Sequence, residues 1–112
     1  MNAHRTFLKC IVHSLGMCSL GWWMGMPLAL ADARLASEKN CMACHDVSAK
    51  RLGPSFREIA ARYAGQKDAT ERMASKIVKG GEGAWGNVRM PANTQITEPE
   101  AKRLAAWVLG IR

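Results

Sequence analysis

Two cysteines and a histidine stand within five residues of each other, as Cys41, Cys44 and His45 in the stretch NCMACHD. Residues of these types at this spacing could close a disulfide, act as a redox dithiol, bind zinc or attach haem covalently. A disulfide here would close too small a loop to stabilise much, and it would leave His45 without a role. A redox dithiol should follow a strand, and a closed zinc site needs four ligands. Covalent attachment of haem is therefore the favoured interpretation.

Haem attachment gives each residue of this motif a chemical task. The two thiols would add to the two vinyl groups of one porphyrin, and His45 would bind the iron from one face. The opposite face needs a second ligand, which a methionine, a lysine or water could provide. Met42 lies inside the motif, and Met73 lies on the apolar stripe of a helix, where methionine usually fills the core. Met90, followed by Pro91 in a long loop, is the favoured sixth ligand.

The first 31 residues differ from the rest of the chain. They begin with Arg5 and Lys9 and no acidic residue, continue through an apolar stretch and end in the small residues Ala-Leu-Ala at 29–31. This pattern predicts a secretory signal peptide, cleaved after Ala31, and export to the periplasm. The stretch also approaches the roughly 20 apolar residues that span a bilayer, so an uncleaved anchor is the alternative.

Cleavage would leave a domain of residues 32–112 with Cys41 and Cys44 as its only cysteines. Fourteen basic and nine acidic residues give this domain a net charge of +5 before a haem adds its propionates. A chain of this length is at the edge of what its own core can stabilise, so a covalent cofactor would also complete the core. A basic surface favours docking to acidic proteins, and an exported haem protein is not expected to bind nucleic acid.

Apolar spacing predicts an all-α domain of four short helices and no strand. Ser55 is expected as an N-cap, and capping boxes are expected at Asp68–Glu71 and Thr97–Glu100. Residues 81–96 contain three glycines and no periodicity, and they are expected to form a loop that something holds in place. The four helices would wrap around one covalent haem, and they are expected over residues 33–39, 55–65, 68–79 and 97–109.

Four runs resemble the small bacterial class I cytochromes c of the c-551/c-552 type: CMACHD, LGPSFREIAARYAGQ, KIVKGGEGAWGNVRMPAN and EAKRLAAWVLG. The resemblance covers residues 35–112 without an obvious gap. It implies the cytochrome c fold, thioether bonds to one haem c at Cys41 and Cys44, and an iron that is bound by His45 and Met90.

The resemblance also implies supporting residues around the haem. The carbonyl of Pro54 would accept a hydrogen bond from the far nitrogen of His45, which fixes the tautomer of the imidazole. The indole of Trp85 would donate to a haem propionate, and Lys76 would neutralise a propionate. Asn93 would hydrogen-bond near the sulfur of the sixth ligand and hold its orientation.

A histidine–methionine pair leaves no open position on the iron, which predicts an electron carrier and not an enzyme. The thioether favours ferrous iron and raises the reduction potential. The predicted protein is a soluble, monomeric, monohaem carrier of single electrons in the periplasm, without stable membrane insertion after cleavage. Two alternatives stay open: a haem enzyme or gas sensor with an open distal site, and a membrane-anchored electron-entry subunit.

Electron donor and acceptor proteins are the expected partners. The resemblance suggests a cytochrome bc1-type complex, a nitrite reductase, an oxidase or a peroxidase in these positions. Six basic residues are expected to ring the exposed haem edge and to steer such partners by their charge: Lys39, Lys50, Arg51, Lys76, Lys79 and Arg89.

Overall fold

The structure, a computed structural model, describes residues 28–112. Within this part of the chain, helices, one short 3-10 turn and one β-hairpin follow each other along the sequence. The signal peptide expected over residues 1–31 lies outside the described residues except for its end, from residue 28. In chain order the elements are α1 (Leu28–Glu38), the 3-10 turn (Cys41–Ala43), α2 (Phe56–Tyr63), α3 (Ala69–Lys79), β1 (Gly81–Gly83), β2 (Gly86–Met90) and α4 (Glu98–Leu109).

The prediction of an all-α domain with four short helices is confirmed for the described residues. The prediction that the domain has no strand is wrong, because β1 and β2 form an antiparallel hairpin in which Gly81 pairs with Met90 and Gly83 with Gly86. Nearly all residues of the two strands are exposed, so the hairpin has no buried face of its own. The alternation of apolar and polar residues that usually indicates a strand is therefore missing.

Local capping interactions determine where two of the helices begin. Before α2, the backbone N–H of Glu58 donates to the Ser55 hydroxyl at 3.2 Å, and the backbone N–H of Ser55 donates to the Glu58 carboxylate at 2.7 Å. At α4, the backbone N–H and the hydroxyl of Thr97 donate to Glu100 at 2.8 and 2.9 Å, so the capping box predicted there is confirmed. The box predicted at Asp68 is wrong, because Asp68 has φ 57° and its side chain does not cap α3.

The first helix begins earlier than residue 33, where the sequence predicted its start. It runs from Leu28 through the expected cleavage position after Ala31. Both Nε and a terminal nitrogen of Arg103 on α4 donate to one carboxylate oxygen of Asp32, at 3.1 and 2.7 Å. The first residue of the expected mature domain is thus tied to the last helix, whereas cleavage after Ala31 stays a prediction.

The last helix is the centre of the core, because α1, α2 and α3 all pack against it. Some apolar residues around this core, including Ile59, Ile77 and Trp107, are only partly buried. No helix of residues 28–112 is long and apolar enough to cross a membrane. The buried cluster consists of Leu35, Ala36, Phe56, Tyr63, Met73, Ala74, Ile96, Ala101, Leu104, Ala105 and Val108.

Candidate functional site

A cavity of about 530 Å³ lies between the helices, the 3-10 turn and the hairpin, a volume in the range of ligand sites in proteins. Its wall is mostly apolar, and it includes the partly buried residues Ile59, Ile77 and Trp107. The cavity therefore shares its wall with the core. All eight residues that the sequence analysis selected contribute to this wall: Cys41, Cys44, His45, Pro54, Lys76, Trp85, Met90 and Asn93.

The 3-10 turn brings the two thiols to the same cavity. It begins after Asn40, whose φ of 61° reverses the chain, and it continues with hydrogen bonds to the Cys41 carbonyl from the amides of Cys44 (3.2 Å) and His45 (3.0 Å). Both cysteines are partly buried, and they form no disulfide with each other. The motif follows helix α1, whereas a thioredoxin-like pair should follow a strand.

The imidazole of His45 is held by three neighbours. Its Nδ1 lies 2.7 Å from the carbonyl oxygen of Pro54, and because a carbonyl can only accept, the hydrogen of the neutral ring belongs on Nδ1. The ring of Phe56 stacks on the imidazole, with centroids 5.4 Å apart and an angle of 21° between the planes. A Cβ atom on Gly53 would lie 2.6 Å from Cε1 of the imidazole, so only glycine fits there. Nε2 keeps its lone pair for a metal ligand bond.

Two of the methionines that were candidates for the sixth ligand contribute to the cavity wall. Met90 is the last residue of β2 and is half-buried, and its backbone pairs with Gly81 across the hairpin. Met73 on α3 is only 6% exposed and belongs to the packed core cluster. Met42 packs against the core and does not line the cavity.

The side chain of Asn93 fastens the chain after Met90 to α3. Its amide nitrogen donates to the carbonyls of Ile77 at 2.7 Å and Pro91 at 3.3 Å, and its backbone N–H donates to the carbonyl of Val78 at 3.0 Å. The role of Asn93 toward the sulfur of the sixth ligand, near which the sequence analysis expected it to hydrogen-bond, stays a prediction. The carbonyls at the end of α3 accept its hydrogens because the last carbonyls of a helix have no partner within the helix.

The sequence analysis missed Arg62, which holds Trp85 at the rim of the cavity. Trp85 lies in the turn between β1 and β2, and the guanidinium of Arg62 lies 4.5 Å from the centroid of the indole. Arg62 also donates to the carbonyl of Ala84 at 2.6 Å, which ties α2 to the hairpin. Nothing in the local sequence links these residues, so only the tertiary fold reveals the contact. Lys76 is an exposed residue of α3 that also lines the cavity.

Three of the six basic residues that were expected to ring the haem edge form ion pairs with acidic residues. Lys39 also donates to the carbonyl of Gln95 at 3.1 Å, which makes it part of the fold. Within residues 28–112, no acidic group lies within ion-pair distance of Lys50, Lys76 or Lys79. The compensated cations form the pairs Lys39–Glu100 at 3.0 Å, Arg51–Asp46 at 3.6 Å and Arg89–Glu82 at 4.0 Å.

The donor set of this cavity fits a covalently attached haem. Two neighbouring thiols can form thioethers, one imidazole presents a free Nε2, and the mostly apolar wall suits the face of a porphyrin. Lys76 and the indole of Trp85 supply a cation and an N–H donor for carboxylates at the rim. The fold and the site together define a small helical protein of the c-type haem class.

The chain belongs to the cytochrome c family, because a sequence model of the family described as Cytochrome c matches residues 31–112. Cytochrome c-552 of Hydrogenobacter thermophilus is 49% identical over 85 residues, which cover 76% of this chain and 86% of that protein. Cytochrome c-551 of Allochromatium vinosum is 41% identical over 85 residues, which cover 76% of this chain and 90% of that protein. The crystal structure of Nitrosomonas europaea cytochrome c552 superposes with a TM-score of 0.70 at 44% identity, covering 71% of this chain and 99% of that one.

Family membership identifies the cofactor and the general activity. The chain carries covalently attached haem c with its iron, and Cys41 and Cys44 fit the C-x-x-C-H motif. It is a monohaem electron carrier that exchanges electrons with redox partners. The resemblance to cytochromes of the c-551/c-552 type, identified from four runs of sequence, is confirmed by these relatives.

Proposed function

We propose that this cytochrome c is a periplasmic one-electron carrier in which His45 and Met90 bind the haem iron from opposite faces. The observation that carries the proposal is that one imidazole with a free Nε2 and one half-buried thioether belong to the wall of the same cavity. Met73 shares that wall but fills the core, and withdrawing its sulfur toward an iron would leave a void among packed side chains. Met90 has no such cost, because it ends a mostly exposed strand.

The haem supplies a reversible one-electron change at its iron, and the protein residues determine how easily that change occurs. The carbonyl of Pro54 accepts a hydrogen bond from Nδ1 of His45. This bond fixes the tautomer, orients the ring and makes Nε2 a stronger electron-pair donor to the iron. The thioether of Met90 stabilises ferrous iron relative to a second nitrogen ligand. The mostly apolar wall excludes water, which also disfavours the more highly charged ferric state.

The rim residues hold the acidic edge of the cofactor in this proposal. Trp85 would donate its indole N–H to a propionate, and Lys76 would compensate a propionate charge from α3. Arg62 holds the indole in place through its contact with the ring and its hydrogen bond to Ala84. The charged edge thereby stays at the surface, where a partner protein can approach it.

Replacement of the proposed sixth ligand tests this function. Met90→Ala should abolish the weak far-red charge-transfer band of thioether-bound ferric haem, lower the reduction potential and open the iron to carbon monoxide. Met73→Leu keeps the volume of its side chain and should change none of these properties. If Met73→Leu loses the band and Met90→Ala keeps it, the ligand assignment is wrong. Tight carbon monoxide binding by the wild-type ferrous protein would instead favour an enzyme or sensor with an open distal site.

Export and cleavage after Ala31 complete the proposal for localisation. The composition of residues 1–31 supports it, and intact-mass measurement of the purified periplasmic protein tests it. The expected mass is that of residues 32–112 plus one haem. The mass of the whole chain, recovered from the membrane fraction, would indicate an anchored electron-entry subunit.

Docking to acidic partner surfaces is the proposed mode of recognition. Among the described residues, Lys50, Lys76 and Lys79 have no acidic side chain within ion-pair distance, and their positive charges would steer an encounter. Salt screens such charges over a Debye length of about 8 Å at physiological strength. Stopped-flow electron exchange with an acidic redox protein should slow as salt rises. Lys76→Glu should slow it more than Arg112→Glu, which changes the same charge at the C-terminal residue. A rate that is independent of salt and of Lys76 would contradict this docking surface.

A further inference from the structure

Gly80 lies at the point where the chain leaves α3, directly beneath the segment that follows Met90. It has φ 72° and ψ −165°, a backbone conformation that is nearly restricted to glycine. A Cβ atom at this position would lie 2.5 Å from the carbonyl oxygen of Met90 and 2.8 Å from both the Pro91 carbonyl carbon and the Ala92 nitrogen. All three are backbone atoms, so the rotation of a side chain could not relieve the contact.

Two further sets of contacts hold the same segment next to the end of α3. Asn93 donates to the carbonyls of Ile77 and Val78, which lie in the last turn of α3 and have no acceptor role within the helix. Met90 pairs with Gly81, the residue that follows Gly80. The end of α3 and the chain from Met90 to Asn93 therefore form one closely packed unit.

We propose that Gly80 is a positioning residue for the sixth ligand, and this inference rests on the proposed ligation of the iron by Met90. Because Gly80 has no side chain, the Met90 backbone can lie directly on the end of α3. That contact determines how far the Met90 sulfur reaches into the cavity. A side chain at position 80 would push the backbone of Met90 away from α3 and weaken the bond between its sulfur and the iron.

Two alanine substitutions compare a positive φ with and without a steric contact at the Cβ position. Gly65 has the same φ of 72° and also follows a helix, but no atom lies within 4 Å of the position that its Cβ would occupy. Gly65→Ala should lower stability through backbone strain alone and keep the thioether charge-transfer band. Gly80→Ala should lose most of that band, and its ferrous form should bind carbon monoxide roughly tenfold to a hundredfold more tightly, as expected for overpacking at the ligand.

The outcomes distinguish this inference from the proposed function. A wild-type protein without the thioether band would overturn the ligation by Met90 itself. A normal band and normal carbon monoxide affinity in Gly80→Ala, with the wild-type band present, would overturn only the role of Gly80.

The wild-type holoprotein provides the test if Gly80→Ala does not fold. At low guanidinium concentrations, the band should disappear together with protection of the Asn93 amide hydrogen, because both report the separation of this segment from α3. Loss of the band while this amide stays protected would refute the inference.

Discussion

Replacing Gly53 with alanine introduces a methyl group where the structure leaves no room for one. The new carbon would lie 2.6 Å from Cε1 and 2.9 Å from Nδ1 of His45, about 1 Å closer than ordinary carbon contacts. The backbone of Gly53 cannot retreat freely, because its N–H donates to the Cys44 carbonyl at 2.8 Å and its carbonyl accepts from Arg51 at 3.1 Å. The imidazole must therefore move, and its hydrogen bond to Pro54 is lengthened or lost.

The expected loss of stability combines two effects. Overpacking a tight site costs about 1–3 kcal/mol, and losing one hydrogen bond costs about 0.5–1.5 kcal/mol, so Gly53→Ala should lower the free energy of unfolding by about 1.5–4.5 kcal/mol. A domain of this size has a total stability of about 4–12 kcal/mol. The reduction potential should rise as well, because an imidazole that has lost its acceptor is a weaker donor to ferric iron.

Guanidinium titration of the ferric holoprotein, followed by far-UV circular dichroism, measures the stability, and redox titration measures the potential. Gly81→Ala is the matched control, because Gly81 has no positive φ and no atom lies within 4 Å of its Cβ position. The control should change stability by no more than about 1 kcal/mol. A Gly53→Ala protein with the stability and potential of this control would refute the reasoning, since it would show that the loop yields and the imidazole does not move.

Three further substitutions test other contacts. Phe56→Ala removes the buried ring that stacks on the imidazole and should lower the free energy of unfolding by about 3–5 kcal/mol in the same titration; a loss below about 1 kcal/mol would contradict this packing. Hydrogen bonds, led by the one from the Thr97 backbone, lower the pKa of Glu100 from 4.5 to about 2. The ionised Glu100 therefore stabilises the folded protein fully above pH 4.5, and this contribution is lost as the pH falls toward 2. The thermal unfolding midpoint of Glu100→Gln should therefore fall less between pH 6 and pH 2 than the midpoint of the wild type. An equal fall in both proteins would contradict the role of Glu100. Arg62→Leu removes the cation over Trp85 and should speed hydrogen exchange of the indole N–H in NMR spectra, whereas unchanged exchange would show that Arg62 does not hold the ring.

The features that the sequence predicted well depend on short spacings along the chain. A capping box needs residues three positions apart, and both Thr97–Glu100 and the Ser55 cap occur in the structure. The spacing at Asp68 is the same, but its backbone adopts a left-handed conformation that turns the carboxylate away from the helix start. A spacing rule therefore predicts such a box only where the preceding chain enters the helix in an extended conformation.

The features that the sequence did not predict depend on contacts between distant residues. The hairpin of residues 81–90 has no buried face, so no alternating pattern indicated it. Arg62 meets Ala84 across 22 positions of sequence, and nothing near either residue indicates the pairing. The sequence also did not indicate that Asn93 donates to the carbonyls of Ile77 and Val78, because the position of the end of α3 relative to Asn93 is known only from the fold.

The wall that the cavity shares with the core also affects how stable a newly made chain is before it receives haem. Residues such as Ile59, Ile77 and Trp107 are covered by protein on one side only, and a chain without its cofactor presents their other side to water. A domain this small has little other apolar area to compensate. Chains that have not received haem therefore open more often, and proteases cleave opened chains. Attachment of the cofactor covers these side chains, so we expect the chain without haem to be degraded faster than the holoprotein.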